Sequence, residues 1–202
     1  MQLDVATRNA INDAIETTWG TAPYLRLYNG VMPATTATAL SGNTLLAEGT
    51  LPSDWAGASS SGVKSMSGTW TATGQSGAST GTPVTFYRYY DSGGSTCRGQ
   101  GPVGPAGGTT ASGTWTAPTT SITLGASNAL IVAGMTVSGT GIQAGTTVAS
   151  ISGTALVLSQ NALITGSGVT LTFGAEMRMD NTNVALAQVV TVNTATFTAG
   201  NA

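Results

Sequence analysis

The sequence predicts a mainly β protein: a β-sandwich or barrel-like host domain with one N-terminal helix, interrupted by a small all-β insertion. Three observations carry this. Small and hydroxyl residues dominate, with 36 Thr, 19 Ser and 28 Gly among 202 residues, and Thr, stiff at χ1, suits a pleated, half-buried surface. After residue 23 the apolar residues recur with period two, in short runs bounded by Gly, Pro and Asn. Charge is also unevenly placed: no Asp, Glu, Lys or Arg occurs from Pro118 to Gly174.

The elements follow in order. Residues 4–19 carry the helical spacing, with Leu3, Ala6, Ala10, Ile11, Ala14, Ile15 and Trp19 on one side and Asn9, Asn12, Asp13 and Glu16 on the other. Asp4 is the expected N-cap, and Gly20 with Pro23 the stop. The apolar side is expected to dock on the core, with a partner-binding arm as the alternative. Strands are expected at 24–28, 44–51, 63–73, 84–90 and 96–101. Asn29-Gly30 and Asp91-Ser92-Gly93-Gly94 serve as turns. Gly101 to Gly108, Gly/Pro-rich, reads as loop, and its two collagen-like triplets are too few for a triple helix.

Short strands separated by Gly turns then fill the uncharged stretch, at 121–124, 136–138, 147–151, 155–158 and 169–173. This gives a discontinuous host domain, 1–115 and 175–202, around an inserted domain, 116–174. Ser67-Gly68-Thr69-Trp70-Thr71-Ala72 recurs as Ser112-Gly113-Thr114-Trp115-Thr116-Ala117, either a shared strand-edge role or coincidence. A strand at 175–180, a turn at Asp180-Asn181-Thr182-Asn183 and two closing strands, 189–192 and 195–198, complete the chain.

Composition argues against several functions. Charged residues are 7% of the chain and the net charge is −2, so nucleic-acid binding lacks its electrostatic basis. Cys97 is the single cysteine, which leaves no disulfide framework. No apolar run is long enough to span a bilayer. The start Met-Gln-Leu-Asp has neither the basic nor the apolar region of a signal peptide, which points to synthesis in a cytoplasm. A surface this poor in charge suits a protein held in an assembly.

The sequence predicts no enzyme: no catalytic, cofactor-binding or metal residue is assigned, and no cofactor. Histidine is absent, and acid–base chemistry then falls to scattered carboxylates. Asp54 with Asp91, or Glu48 with Glu176, would be the glycosidase-like pairs, but turn positions explain the two aspartates better. Asp180 to Asn183 offers too few carboxylates for Ca²⁺. Cys97 beside Arg98 reads as a plain strand cysteine. Phe86, Tyr87, Tyr89 and Tyr90 around Arg88 make a strand that is apolar on both faces, either central in the fold or at a subunit contact.

Several motifs also occur in the order of a known family. They are Arg8-Asn9-Ala10, Asp13-Ala14-Ile15-Glu16, Leu25-Arg26-Leu27-Tyr28-Asn29-Gly30, Gly42-Asn43-Thr44-Leu45-Leu46-Ala47 and Leu51-Pro52-Ser53-Asp54-Trp55. Phe86-Tyr87-Arg88-Tyr89-Tyr90-Asp91-Ser92, Asp180-Asn181-Thr182 and Phe197-Thr198-Ala199-Gly200-Asn201 complete the set. Over residues 1–110 and 175–202 the chain resembles small virion proteins of tailed bacteriophages. The stretch from Gly134 to Val148 resembles a separate β module of phage structural proteins, and departs from the shorter family pattern.

The resemblance implies a head decoration (cement) protein: a β-sandwich on the outer capsid surface of the virion that clamps neighbouring subunits of the major capsid protein. It implies a homotrimer made in the bacterial host, with no nucleic-acid or membrane partner and no catalytic residue to carry over. The N-terminal segment and the loops at Gly30–Ser41 and Gly99–Gly108 are the expected clamps. A tail or baseplate component, and an adhesin binding host glycan through the insert, are the alternatives.

Overall fold

The computed structural model describes residues 2–199. The helix α1 spans Val5–Trp19; the Asp4 carboxylate accepts the Thr7 N–H at 2.8 Å, and Gly20, at φ 84°, ends it. The strands that follow are β1 (Tyr24–Tyr28), β2 (Leu45–Thr50), β3 (Val63–Ser65), β4 (Trp70–Gly74), β5 (Thr82–Pro83), β6 (Phe86–Tyr90) and β7 (Cys97–Pro105). Next come β8 (Thr109–Trp115), β9 (Thr119–Leu124), β10 (Thr136–Ser138), β11 (Val148–Ser152), β12 (Ala155–Ala162) and β13 (Gly166–Gly174). The last three are β14 (Met177–Met179), β15 (Asn183–Val184) and β16 (Val189–Thr198).

The chain divides into two compact units, Met1–Ala106 with Glu176–Ala202, and Gly107–Ala175. The boundary read from the sequence at 116 therefore moves: β8 pairs with β13 and β9, so Thr109–Trp115 belongs to the second unit. Charge is absent from Gly99 to Ala175, beyond the unit on its N-terminal side, so its loss did not fix where the unit begins. Residues 109–117 carry a Trp and alternating Thr like the strands around them, and composition gave no break.

The first unit is a barrel rather than a sandwich. Its strand order is β14-β7-β6-β1-β2-β4-β16, and β16 pairs back to β14, closing seven strands, with β3 added on β16. The ten residues of β16 serve β4 through Val189–Val192, β14 through Val192–Ala195 and β3 through Thr196–Thr198. The two closing strands expected at 189–192 and 195–198 are thus one bent strand. All pairings are antiparallel except β7 with β14. Parallel neighbours need a long crossover, and residues 106–176 supply it.

Leu25, Leu27, Leu46, Trp55, Trp70, Tyr89, Met177 and Val190 form the core. Trp19 reaches into it from the end of α1, stacked on Trp55 at 5.1 Å and 5° and packed on Tyr89 and Phe197 at 5.0 and 5.4 Å. Such aromatic pairs add roughly 0.5–1.5 kcal/mol each beyond their burial. The rings explain why Gly101 to Pro105 is strand rather than the loop its composition suggests. A Cβ on Gly101 would stand 2.6 Å from the Tyr87 hydroxyl, and one on Gly99 3.1 Å from the Trp19 ring. These glycines make room for the core.

The second unit is a six-stranded sheet in the order β10-β13-β8-β9-β12-β11. It curls until its edges meet: Val137 donates to the Thr146 carbonyl at 2.9 Å and Val148 to that of Met135 at 2.8 Å. Trp115, Ile122, Leu124, Met135, Val137, Leu156, Leu158, Leu171 and Phe173 fill it. The repeated hexapeptide takes different places in its two strands. Trp70 begins β4 and donates its indole N–H to Trp55 and Ser67 carbonyls. Trp115 ends β8 and donates to Ile164. Both tryptophans are buried and donate to backbone carbonyls, but at opposite ends of their strands.

Candidate functional site

Two features of the barrel unit place polar and apolar groups where a partner or ligand can reach them. The first is α1. The side expected to dock is divided: Ile15 and Trp19 pack on the core, whereas Ala6, Ala10, Ile11 and Ala14 are exposed, Ile11 by 48%, while Asn12 is 1% exposed. The polar side holds the helix to residues 59–64. Asn9 accepts the Gly62 N–H and Asn12 donates to the Gly62 carbonyl, both at 2.8 Å. Asp13 accepts from the Ser59 hydroxyl at 2.7 Å. The Lys64 ammonium, sealed from solvent, meets Asp13 at 2.9 Å and Glu16 at 2.7 Å. Arg8 lies against Gly62, where the φ of +79° would strain any side chain and a Cβ would press on the guanidinium.

Periodicity placed the hydrophobic side correctly but could not say which side docks. The ledge it meets, Ser59-Ser60-Ser61-Gly62-Val63-Lys64, exposes backbone groups and one cation, so polar complementarity wins there. Trp19, with Ile15 packed beside it, anchors the helix in the apolar core. Hydrogen bonds from Ser59, then from Lys64, hold the Asp13 carboxyl below its usual 3.8. Burial pulls the Lys64 ammonium down, but its bonds to Glu16 and Asp13 outweigh that and leave it above its usual 10.5.

The second feature is the outer wall of β2, β1, β6 and β7. Register sets Glu48, Arg26, Arg88 and Gln100 side by side across it. Arg26 is paired with Glu48 and lies over the Tyr90 ring at 4.4 Å. Residues 29–44 fold over this wall and bury it: Tyr28 and Phe86 stack at 5.3 Å beneath the loop's base, and Phe86, Arg88 and Tyr90 are 1%, 3% and 8% exposed. The β6 side chains are thus covered on both faces, by the core within and by the loop outside.

The loop is tied down by polar bonds. The Asn43 amide donates to the carbonyls of Asn29 and Val31, the Thr85 hydroxyl to Gly30, and Gln100 to Pro33. Arg88 donates to the carbonyls of Thr35 and Thr38. A groove of about 460 Å³ remains beside it, lined by residues 36–40 and by Arg88, Tyr90, Ser95, Thr96 and Cys97. Burial pushes the Cys97 thiol up, and Arg88 partly offsets this. Burial also pushes the Tyr28 phenol far above its ordinary range, helped by Tyr90.

The carboxylates weighed in the sequence take separate places. Glu48 pairs with Arg26, and Glu176 accepts the Tyr87 hydroxyl at 3.1 Å. Asp91 accepts the N–H groups of Ser95 and Thr96 within its turn and faces Arg98 at 3.4 Å. Burial raises the Asp91 carboxyl, yet those N–H groups outweigh it and hold it below its usual value. Asp180 accepts the N–H groups of Asn181 and Thr191, the turn role expected of it. Among the described residues no three of His, Cys, Asp and Glu come together, and no helix is long and apolar enough to cross a membrane. Gly200 and Asn201, part of the terminal motif, lie outside the described residues.

Comparison with known proteins finds no matching protein-family profile, no matching curated protein and no matching solved structure.

Proposed function

We propose that the protein is a structural component of a tailed-phage particle that sits on the outer capsid surface and clamps neighbouring major capsid subunits. The observation that carries this reading is α1, held by its polar residues and by Ile15 and Trp19, with Ala6, Ala10, Ile11 and Ala14 outward. A helix alone in water hides its apolar stripe; one that presents it offers a contact to a neighbour. The barrel gives that helix a stiff base. The motif resemblance names the neighbour as a capsid subunit, and the scarcity of charge fits a surface covered in an assembly.

Ile11→Asp tests the reading. It should cut the amount of protein retained on purified particles while leaving the urea midpoint of the free protein unchanged. Equal retention would sink the clamping role of α1. Copy number per particle, by quantitative mass spectrometry, separates head from tail: hundreds supports decoration, a few to tens a tail position. Retention should vary little with salt, because few exposed ion pairs are available to be screened. Sedimentation of the free protein tests the homotrimer. A deletion probing the adhesin alternative must span 107–175, since one beginning at Pro118 would leave β8 without its partners.

A further inference from the structure

We infer that the groove beside loop 29–44 is a carboxylate-binding site centred on Arg88. The inference stands independently of the capsid reading.

A buried guanidinium is costly unless an anion compensates it. Arg88 is 3% exposed, and none of the ion pairs among the described residues includes it. Its cross-strand neighbour is Arg26, a second cation, whose only carboxylate, Glu48, it shares with no one. Two cations therefore face each other across β1 and β6, with the one carboxylate, Glu48, on the far side of Arg26, an arrangement that like-charge repulsion disfavours. One negative charge is missing from the wall.

Donor geometry says where it belongs. Of the five guanidinium N–H donors, Nε donates to Gln100 Oε1 at 3.0 Å, and Nη2 to the carbonyls of Thr35 and Thr38 at 3.3 and 2.9 Å. Nη1 donates to no protein atom among the described residues, yet it is not among the sealed, unpartnered atoms, of which Arg8 Nε is the one found. Arg88 lines the groove, and we take Nη1 as the donor it offers there. The same groove is lined by Thr36, Ser95 and Thr96, whose hydroxyl groups can donate to an anion, and by Tyr90 and Leu40, which can cover its apolar stem.

One unpaired cation also sets the ligand. Arg98 is occupied by Asp91 and Arg26 by Glu48, so the groove has positive charge for a monoanion and too little for a phosphate dianion. The fit is to a carboxylate, whether free or at the end of an acidic side chain.

Cys97, the only cysteine of the chain, lines the same groove and makes the test direct. Its thiolate displaces iodide from iodoacetate, which carries a carboxylate, and from iodoacetamide, which does not. The ratio of the two rates, iodoacetate over iodoacetamide, should be higher in the native protein than in urea. It should fall roughly tenfold in Arg88→Gln, the size of one charge-assisted contact, and hold in Arg98→Gln. Added sodium acetate should protect Cys97 at constant ionic strength. In the unaltered protein, the Arg88 Nε–Hε resonance should shift saturably with acetate, which keeps the test open if Arg88→Gln loosens the loop. Equal rate ratios in native and unfolded protein, a linear unsaturated shift, or tighter binding of inorganic phosphate than of acetate would each overturn the assignment. A peptide bearing one glutamate that competes more strongly than acetate would identify a side-chain source; equal competition would identify a free carboxylate.

Discussion

Gly49 in β2 lies so close to β4 that a Cβ there would stand 1.9 Å from the Thr71 carbonyl oxygen. Neither strand can yield without disturbing the barrel on both sides. Gly107 has nothing within 4 Å of such a Cβ. Gly49→Ala should therefore lower stability by about 2 kcal/mol or more, and Gly107→Ala by less than about 0.5 kcal/mol, as read from urea midpoints. Both positions are glycines in a glycine-rich chain, and composition cannot rank them; the distance to the neighbouring backbone does. The same holds for Gly99 and Gly101, whose emptiness admits Trp19 and Tyr87. Trp19→Ala should cost about 3–5 kcal/mol, because a large ring leaves the stacked core without a replacement.

At the scale of the element, α1 separates two quantities that usually go together, hydrophobicity and burial. Asn12→Ala removes a donor from the buried Gly62 carbonyl and should cost about 1–3 kcal/mol. Ile11→Ser touches the outward side and should stay within about 0.5 kcal/mol, the reverse of the ranking that periodicity alone suggests. The helix should also respond to pH. Asp13 is held below its usual 3.8 by the fold, so its contribution is present above that value and disappears as pH falls through the lower, folded one. Lys64 is held above its usual 10.5, so its contribution is present below that value and disappears on the alkaline side. Docking of α1 should be strongest between about 4 and 10 on these shifts. Hydrogen exchange of residues 5–19 at pH 3 should rise before that of β1 or β6.

Helix limits, most strands and the turns at 91–94 and 180–183 were legible because caps, alternation and turn residues are local signals. What escaped was set by distant partners. The docking side of α1 depends on the ledge at 59–64, the strand character of 101–105 on rings that need glycine, and the single bent β16 on three different neighbours. The wall of the groove was half visible: the aromatic run around Arg88 stood out, whereas the arginine-to-arginine register and the loop that covers it required the fold.

On the scale of the whole molecule, each unit has a core of its own. Residues 107–175 contain no Asp, Glu, Lys, Arg, His, Cys or Tyr. With no group to titrate, that unit should keep the same stability across the pH range in which α1 loosens. Trp115 is its single tryptophan, against Trp19, Trp55 and Trp70 in the barrel unit. A Trp115→Phe variant should therefore leave a fluorescence transition belonging to the barrel alone, distinct in midpoint from the amide-exchange transition of 107–175.

The parallel pair β7 and β14 has a kinetic consequence. For those two strands to meet, the chain between Pro105 and Met177 must close on itself. In an unfolded chain that is a loop of some seventy residues, late and slow to close. The second unit already brings its own ends together, Thr109 beside Phe173 in the β8–β13 register. Once it has folded, the barrel has to close a gap of only a few residues, a saving of roughly 2 kcal/mol in chain entropy. The uncharged unit then acts as a clasp that shortens the search for the last barrel seam. A chain with 107–175 replaced by an equally long flexible linker should reach the same barrel more slowly.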